Sequence, residues 1–235
     1  VFNGRDYTYG VVYVSTGGTN SFTISLRGLI RRLNQHHWTH IGASIPGTYI
    51  ANAYLTSDAL TIGTFISHDH GGAWDKLMFD NGENKRRRKE KKLYQDKDDS
   101  DDDSDLNRIH LAAPFPGSKF QAPPSTPGLI IAAGQIGPTL SDWNGNTVLI
   151  SRDGGRSWIQ SPLNGSFVVH AVSGGSLIFA ASDMNYTDTI YYSLDFGKTW
   201  SAYCFTQNGV KVKAIQFTST DSQELATIVY LDALS

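Results

Sequence analysis

Three carboxylates are the first candidates for chemistry in this 235-residue chain: Asp69, Asp153 and Asp195. Each sits in the same eight-residue frame, S-x-D-x-G-x-x-W. The copies are Ser67, Asp69, Gly71 and Trp74, then Ser151, Asp153, Gly155 and Trp158, then Ser193, Asp195, Gly197 and Trp200. Two carboxylates facing each other across a cleft could hydrolyse a glycosidic bond. A carboxylate inside a tight turn has a plainer use. The glycine tolerates positive φ where the chain reverses. The Asp side chain can accept backbone N–H groups two residues on, and the Ser hydroxyl can do the same more weakly. The Trp opens the outgoing strand and packs over the turn. Three copies at one spacing read as turns, so no catalytic role is placed on these Asp residues.

Other reactive side chains offer less. His36, His37 and His40, and separately His68 and His70, are the candidate metal ligands. His36 and His40 would share a face only on a helix, and Gly and Pro surround them. His68 and His70 fall inside the first turn frame, where they face solvent. No metal site and no cofactor is expected. Cys204 is the single cysteine; it can form no intrachain disulfide and has no metal-ligand spacing around it. Asn164-Gly165-Ser166 and Asn185-Tyr186-Thr187 are acceptor triplets for N-glycosylation.

The elements that hold the turns are short and apolar. Thr64-Phe65-Ile66, Val148-Leu149-Ile150 and Ile190-Tyr191-Tyr192 each lead into one copy. The last two copies lie 42 residues apart, the period of a four-stranded propeller blade. Around the third copy the four strands are legible: residues 167–172, then 176–181 after Gly174-Gly175, then the strands into and out of the turn. Residues 109–111 and 128–133 open the blade before it, and residues 212–217 and 226–231 open another after it. Ser15 to Phe22 keeps the Ser and an aromatic at the eighth place without the Asp, and reads as a degenerate copy. No segment shows helical apolar spacing with caps. The expectation is an all-β chain, residues 1–235 forming part of one β-propeller with Asp-box turns, about four blade-equivalents.

Charge is unevenly placed. The formal net charge of −2 argues against nucleic acid as a partner. Residues 81–107 hold eight basic and nine acidic side chains, among them Lys85 to Lys89 and Asp101 to Asp103. With almost no apolar content this stretch cannot bury a face, and it reads as a disordered loop inserted in the propeller. Trypsin is therefore expected to cut first between Lys85 and Lys97; protection there, with cleavage elsewhere, would make the loop an ordered element. The chain has no run of eighteen apolar residues and no basic-then-apolar leader at Val1, so neither a membrane span nor a signal peptide is expected within this stretch.

The order of several segments is similar to one family. Tyr13-Val14-Ser15-Thr16-Gly17-Gly18-Thr19-Asn20, Ser25-Leu26-Arg27-Gly28, Gly47-Thr48-Tyr49-Ile50-Ala51-Asn52, Pro127 to Gly134 and Gly174-Gly175-Ser176-Leu177-Ile178, with the three boxes, resemble the sortilin family. The resemblance leaves out Gln35 to Ile45, an insertion, and the charged loop. It implies the later part of a ten-bladed propeller on the lumenal side of a single-span sorting receptor. Such receptors bind peptides or proteins and carry them between Golgi, endosomes and cell surface. The family's loop disulfide after the first box is absent here, since that loop has no cysteine. The family's peptide-binding residues fall in earlier blades, and none is carried over.

Asp-box propellers also occur in glycoside hydrolases, and a sialidase-like enzyme is the alternative. Such an enzyme needs an arginine cluster for the substrate carboxylate. Outside the charged loop the arginines are Arg5, Arg27, Arg31, Arg32, Arg108, Arg152 and Arg156, the last two within a box turn. The expectation is a binding protein rather than an enzyme. A ring opened at both ends would leave unpaired strand edges and apolar faces, so the isolated stretch is expected to self-associate or unfold in part.

Overall fold

The computed structural model describes residues 7–15, 21–32, 39–41, 45–54, 62–79, 107–111, 120–123, 125–138, 147–172, 175–220 and 223–231. The charged loop lies outside the described residues except for Asn107, as do His36 and His37. Among the described residues the regular elements are β-strands, and neighbouring strands pair antiparallel.

Three four-stranded meanders follow one another. The first is β3 (Thr39–Ile41), β4 (Tyr49–Tyr54), β5 (Ile62–Ser67) and β6 (Asp75–Lys76). The hairpin of β1 (Tyr7–Ser15) and β2 (Phe22–Arg32) joins it through a single Leu29–Ala53 pairing. The second is β7 (Ile109–Leu111), β9 (Ile130–Ile136), β10 (Thr147–Ser151) and β11 (Ile159–Asn164), with the short β8 (Phe120–Gln121) also on β9. The third is β12 (Phe167–Val172), β13 (Leu177–Ser182), β14 (Thr189–Ser193) and β15 (Ser201–Cys204). β16 (Lys211–Thr220) and β17 (Gln223–Leu231) pair with each other beyond it. The chain is all-β, a succession of β-propeller blades.

Burial follows each strand's place in its blade. β10 is buried at all five positions, the pattern of a strand covered on both faces. β11 alternates, burying Ser161 and Leu163 and exposing Gln160, Pro162 and Asn164. β15 is exposed throughout, as an outermost strand is.

The core lies between the sheets. Ile50, Ile66 and Leu77 of the first meander meet Ile109, Leu111, Ile130, Ala132 and Leu149 of the second. The residues next to these point the other way: Leu129, Ile131, Val148 and Ile150 meet Phe167, Val169, Ala171, Ile178 and Ala180 of the third. Val168, Ala181 and Ile190 in turn meet Val210, Val212 and Ile215. A two-residue period thus sends alternate side chains into two different interfaces. Each fully buried Ile, Leu or Val contributes about 1.5–3 kcal/mol to holding neighbouring blades together.

Gln35 to Ile45, read as an insertion, contains a strand that the sequence reading did not assign: Thr39, His40 and Ile41 pair with Ala51, Ile50 and Tyr49. Three residues are too few for apolar alternation to show.

Candidate functional site: the three Asp-box turns

Each box joins the third and fourth strands of its meander: β5 to β6, β10 to β11, and β14 to β15. The Ser that ends the third strand is buried in all three copies. Its Oγ accepts the N–H of the box glycine at 2.8 Å in each, from Gly71, Gly155 and Gly197. The same Oγ lies 3.4 Å from the N–H of the box Asp. It donates to that Asp's Oδ1 at 2.8, 2.9 and 2.8 Å. The serine is therefore the hub of the turn, where sequence reasoning ranked it below the carboxylate.

The carboxylate reaches further than a simple Asx turn. Oδ1 accepts the backbone N–H four residues on, from Ala73, Ser157 and Thr199, at 2.9, 2.8 and 2.8 Å. Asp195 Oδ1 also accepts the Lys198 N–H at 2.9 Å. Oδ2 accepts the hydroxyl of Ser157 at 2.6 Å in the second box and of Thr199 at 2.8 Å in the third. Ala73 has no hydroxyl to offer in the first.

These bonds set the charge state. The Ala73 N–H, then the Ser67 hydroxyl, hold the Asp69 carboxyl below its ordinary range. Burial pushes Asp153 up, but the hydroxyl and N–H of Ser157 and the Ser151 hydroxyl together outweigh it, and the net shift is downward. The Thr199 N–H leads in bringing Asp195 down to about 2. A general acid must hold a proton near the working pH. These three carboxylates do not, and their oxygens are engaged by their own turns. Because Asp195 titrates lower in the folded chain than its ordinary 3.8, its stabilisation is complete above that value and is lost as pH falls toward 2. Denaturant unfolding between pH 5 and pH 2 should show a declining midpoint, and Asp195→Asn should flatten part of that decline; an unchanged slope in the variant would contradict the assignment.

The tryptophans close the turns. Trp158 and Trp200 donate Nε1–H to the carbonyls of Gly155 and Gly197 at 3.0 and 3.2 Å. In the first box a serine from β2 stands between the two groups: Trp74 Nε1 donates to Ser25 Oγ at 2.8 Å, and Ser25 donates to the Gly71 carbonyl.

The glycines make the boxes face their neighbours. A Cβ on Gly197 would stand 2.1 Å from Ile150 Cδ1, and one on Gly155 would stand 2.3 Å from Ile66 Cδ1. On Gly71 the nearest atom would be Val14 Cγ2, at 3.1 Å. Ile150, Ile66 and Val14 are each the residue just before a serine: Ser151, Ser67 and Ser15. The register of blade on blade therefore includes Ser15, in the position of a box serine. Residues 16–20, which would form that degenerate turn, are outside the described residues. A second contact runs the same way. The Arg152 guanidinium in the second box donates to the Phe196 carbonyl in the third from Nε at 3.1 Å and Nη2 at 3.0 Å. Phe196 holds φ 59°, a left-handed conformation uncommon outside glycine.

The remaining candidates are scattered. His68 is 3.5 Å from Thr48 Oγ1, and burial, then the Arg156 charge, holds its pKa down. His70 supplies the box residue at φ 62°, and its N–H donates to the Gly47 carbonyl at 2.9 Å. His40 lies in β3. Among the described residues no group of three or more His, Cys, Asp or Glu side chains could hold a metal ion. Cys204 is exposed and unpaired with another cysteine. Asn164 and Asn185 are exposed.

The sequence model of Sortilin-Vps10, described as sortilin, neurotensin receptor 3, matches residues 1–215. The chain is 25% identical over 224 residues to the Vacuolar protein sorting/targeting protein 10 of Leptosphaeria maculans, covering 93% of this chain and 15% of that protein. It is 33% identical over 141 residues to the protein of the same name in Schizosaccharomyces japonicus, covering 59% of this chain and 9% of the other. The chain thus spans about a seventh of the length of the first curated relatives it matches. A Trypanosoma rangeli sialidase solved with 2,3-difluorosialic acid is 12% identical with a TM-score of 0.34, over 95% of this chain and 36% of that one. The match across residues 1–215 establishes that the chain belongs to the Sortilin-Vps10 family.

Proposed function

We propose that this chain is part of the ligand-binding propeller of a sorting receptor. It lies on the lumenal side of Golgi, endosomal or surface membranes, and its ligands are peptides or proteins. The complete propeller has ten blades and is anchored to the membrane outside this stretch. The observation that carries the reading is the family match over residues 1–215. The curated relatives are named for vacuolar sorting and targeting, which supports a role in sorting.

Neither binding nor turnover is placed on the box carboxylates, and a hydrolase on this fold would have to draw its acid and base from elsewhere. Asp69, Asp153 and Asp195 instead accept their own turns' N–H and hydroxyl groups. The low titration of Asp195 follows from that.

Removing the protein from its host tests the reading. Soluble proteins bound for the vacuole or lysosome should then appear in the medium, at several-fold above the parental level by quantitative mass spectrometry. An unchanged medium, with the same proteins delivered normally, would contradict it.

A further inference from the structure

The two glycosylation triplets sit at one end of adjacent sheets, and the boxes sit at the other. Asn164 pairs across to Thr147, at the start of β10, whereas the second box begins at Ser151, at the end of that strand. Phe167 pairs with Ser182, while Ile178 pairs with Ser193, where the third box begins. The loop after Ser182, which holds Asn185, is therefore at the end of β13 away from its box. β13 has six residues, so about 15–20 Å separates the two ends.

The loops that carry the triplets are also joined. The Asp183 N–H donates to the Ser166 carbonyl at 3.3 Å, bridging the loop of Asn185 to the turn of Asn164. Both asparagines are exposed. Asn164 shares the outward side of β11 with Gln160 and Pro162. Asn185 lies between Met184 and Tyr186, exposed at 40% and 60%.

We propose that Asn164 and Asn185 both carry N-linked glycans, which together cover the sheet end opposite the Asp boxes and leave the box end open. This rests on the lumenal reading above. The co-reactant is a lipid pyrophosphate-linked oligosaccharide. The asparagine amide nitrogen bonds to C1 of the first sugar, the bond from C1 to the pyrophosphate oxygen breaks, and the lipid pyrophosphate leaves with the electron pair while the amide gives up one proton. The fold dictates when this happens. The third residues of the triplets are engaged once the chain has folded: Ser166 is 3% exposed, and Thr187 Oγ1 donates to the Thr189 carbonyl and accepts the Thr189 N–H, both at 3.1 Å. Transfer therefore precedes closure of the sheets. The finished glycans project from the exposed Asn164 and Asn185 side chains.

The test uses the full-length protein isolated from its host. Native digestion with a peptide-N-glycosidase in 18O-water should convert both residues to labelled aspartate. Asn164→Gln and Asn185→Gln should each remove one glycan's mobility step, and Thr187→Ala should remove the same step as Asn185→Gln. A protein that fractionates with lumenal contents but has both peptides unmodified overturns this inference alone. Glycans released only after denaturation overturn their exposure on the sheet end opposite the boxes. A protein found in the cytosol overturns both this inference and the lumenal reading.

Discussion

Replacing Gly197 with alanine is expected to destabilise the protein by about 2–5 kcal/mol. Two costs add. Gly197 holds φ +80°, where a Cβ costs roughly 1–2 kcal/mol. That Cβ would also stand 2.1 Å from Ile150 Cδ1, and Ile150 is 1% exposed in the interface between the second and third blades. Forcing a methyl into a packed core costs about 1–3 kcal/mol. The second cost depends on Ile150 and the first does not. Ile150→Val removes the clashing methyl group, so Gly197→Ala should cost about 1 kcal/mol less in that background. Denaturant unfolding of the four proteins of this cycle measures it. Equal costs in both backgrounds would mean that the box glycine does not set the spacing between blades.

Ser151→Ala should cost about 3 kcal/mol. The hydroxyl is buried, takes the Gly155 N–H at 2.8 Å and donates to Asp153 Oδ1 at 2.9 Å. Its loss strands a buried donor and removes a bond to a charged acceptor, each worth about 1–3 kcal/mol, with overlap between them. Asp153→Asn should cost less, because the amide oxygen still accepts the Ser157 N–H. A serine substitution that is harmless beside a damaging Asp153→Asn would reverse the roles assigned to the two residues.

The boxes were legible because their chemistry is local. Ser67, Asp69, Gly71 and Trp74 hold one another within eight residues, so spacing alone points to a turn. The blades followed from the apolar runs before each box and the 42-residue period. What the sequence hid was non-local or too short. β3 is three residues and becomes a strand only through β4. The serine's role as hub depends on a glycine N–H four residues on, where turn chemistry ranks the carboxylate first. Ser25 between Trp74 and Gly71 comes from another strand, 46 residues before Gly71, and no local pattern announces it. The grip of one box on the next, through Gly197 on Ile150 and Arg152 on the Phe196 carbonyl, crosses about 45 residues of sequence and shows only when the sheets are stacked.

The central claim is that the box carboxylates hold their own turns and do not themselves bind or transform a ligand. The most direct measurement is sorting per folded receptor. Host cells carrying Asp69→Asn, Asp153→Asn or Asp195→Asn in the full-length protein are compared for vacuole-bound proteins lost to the medium, normalised to protease-resistant receptor beyond the endoplasmic reticulum. Each variant is expected to lower the amount of folded receptor and to sort normally per molecule that remains. A variant present at the parental level, folded and correctly located, that loses sorting would place its carboxylate in the ligand site and contradict the account.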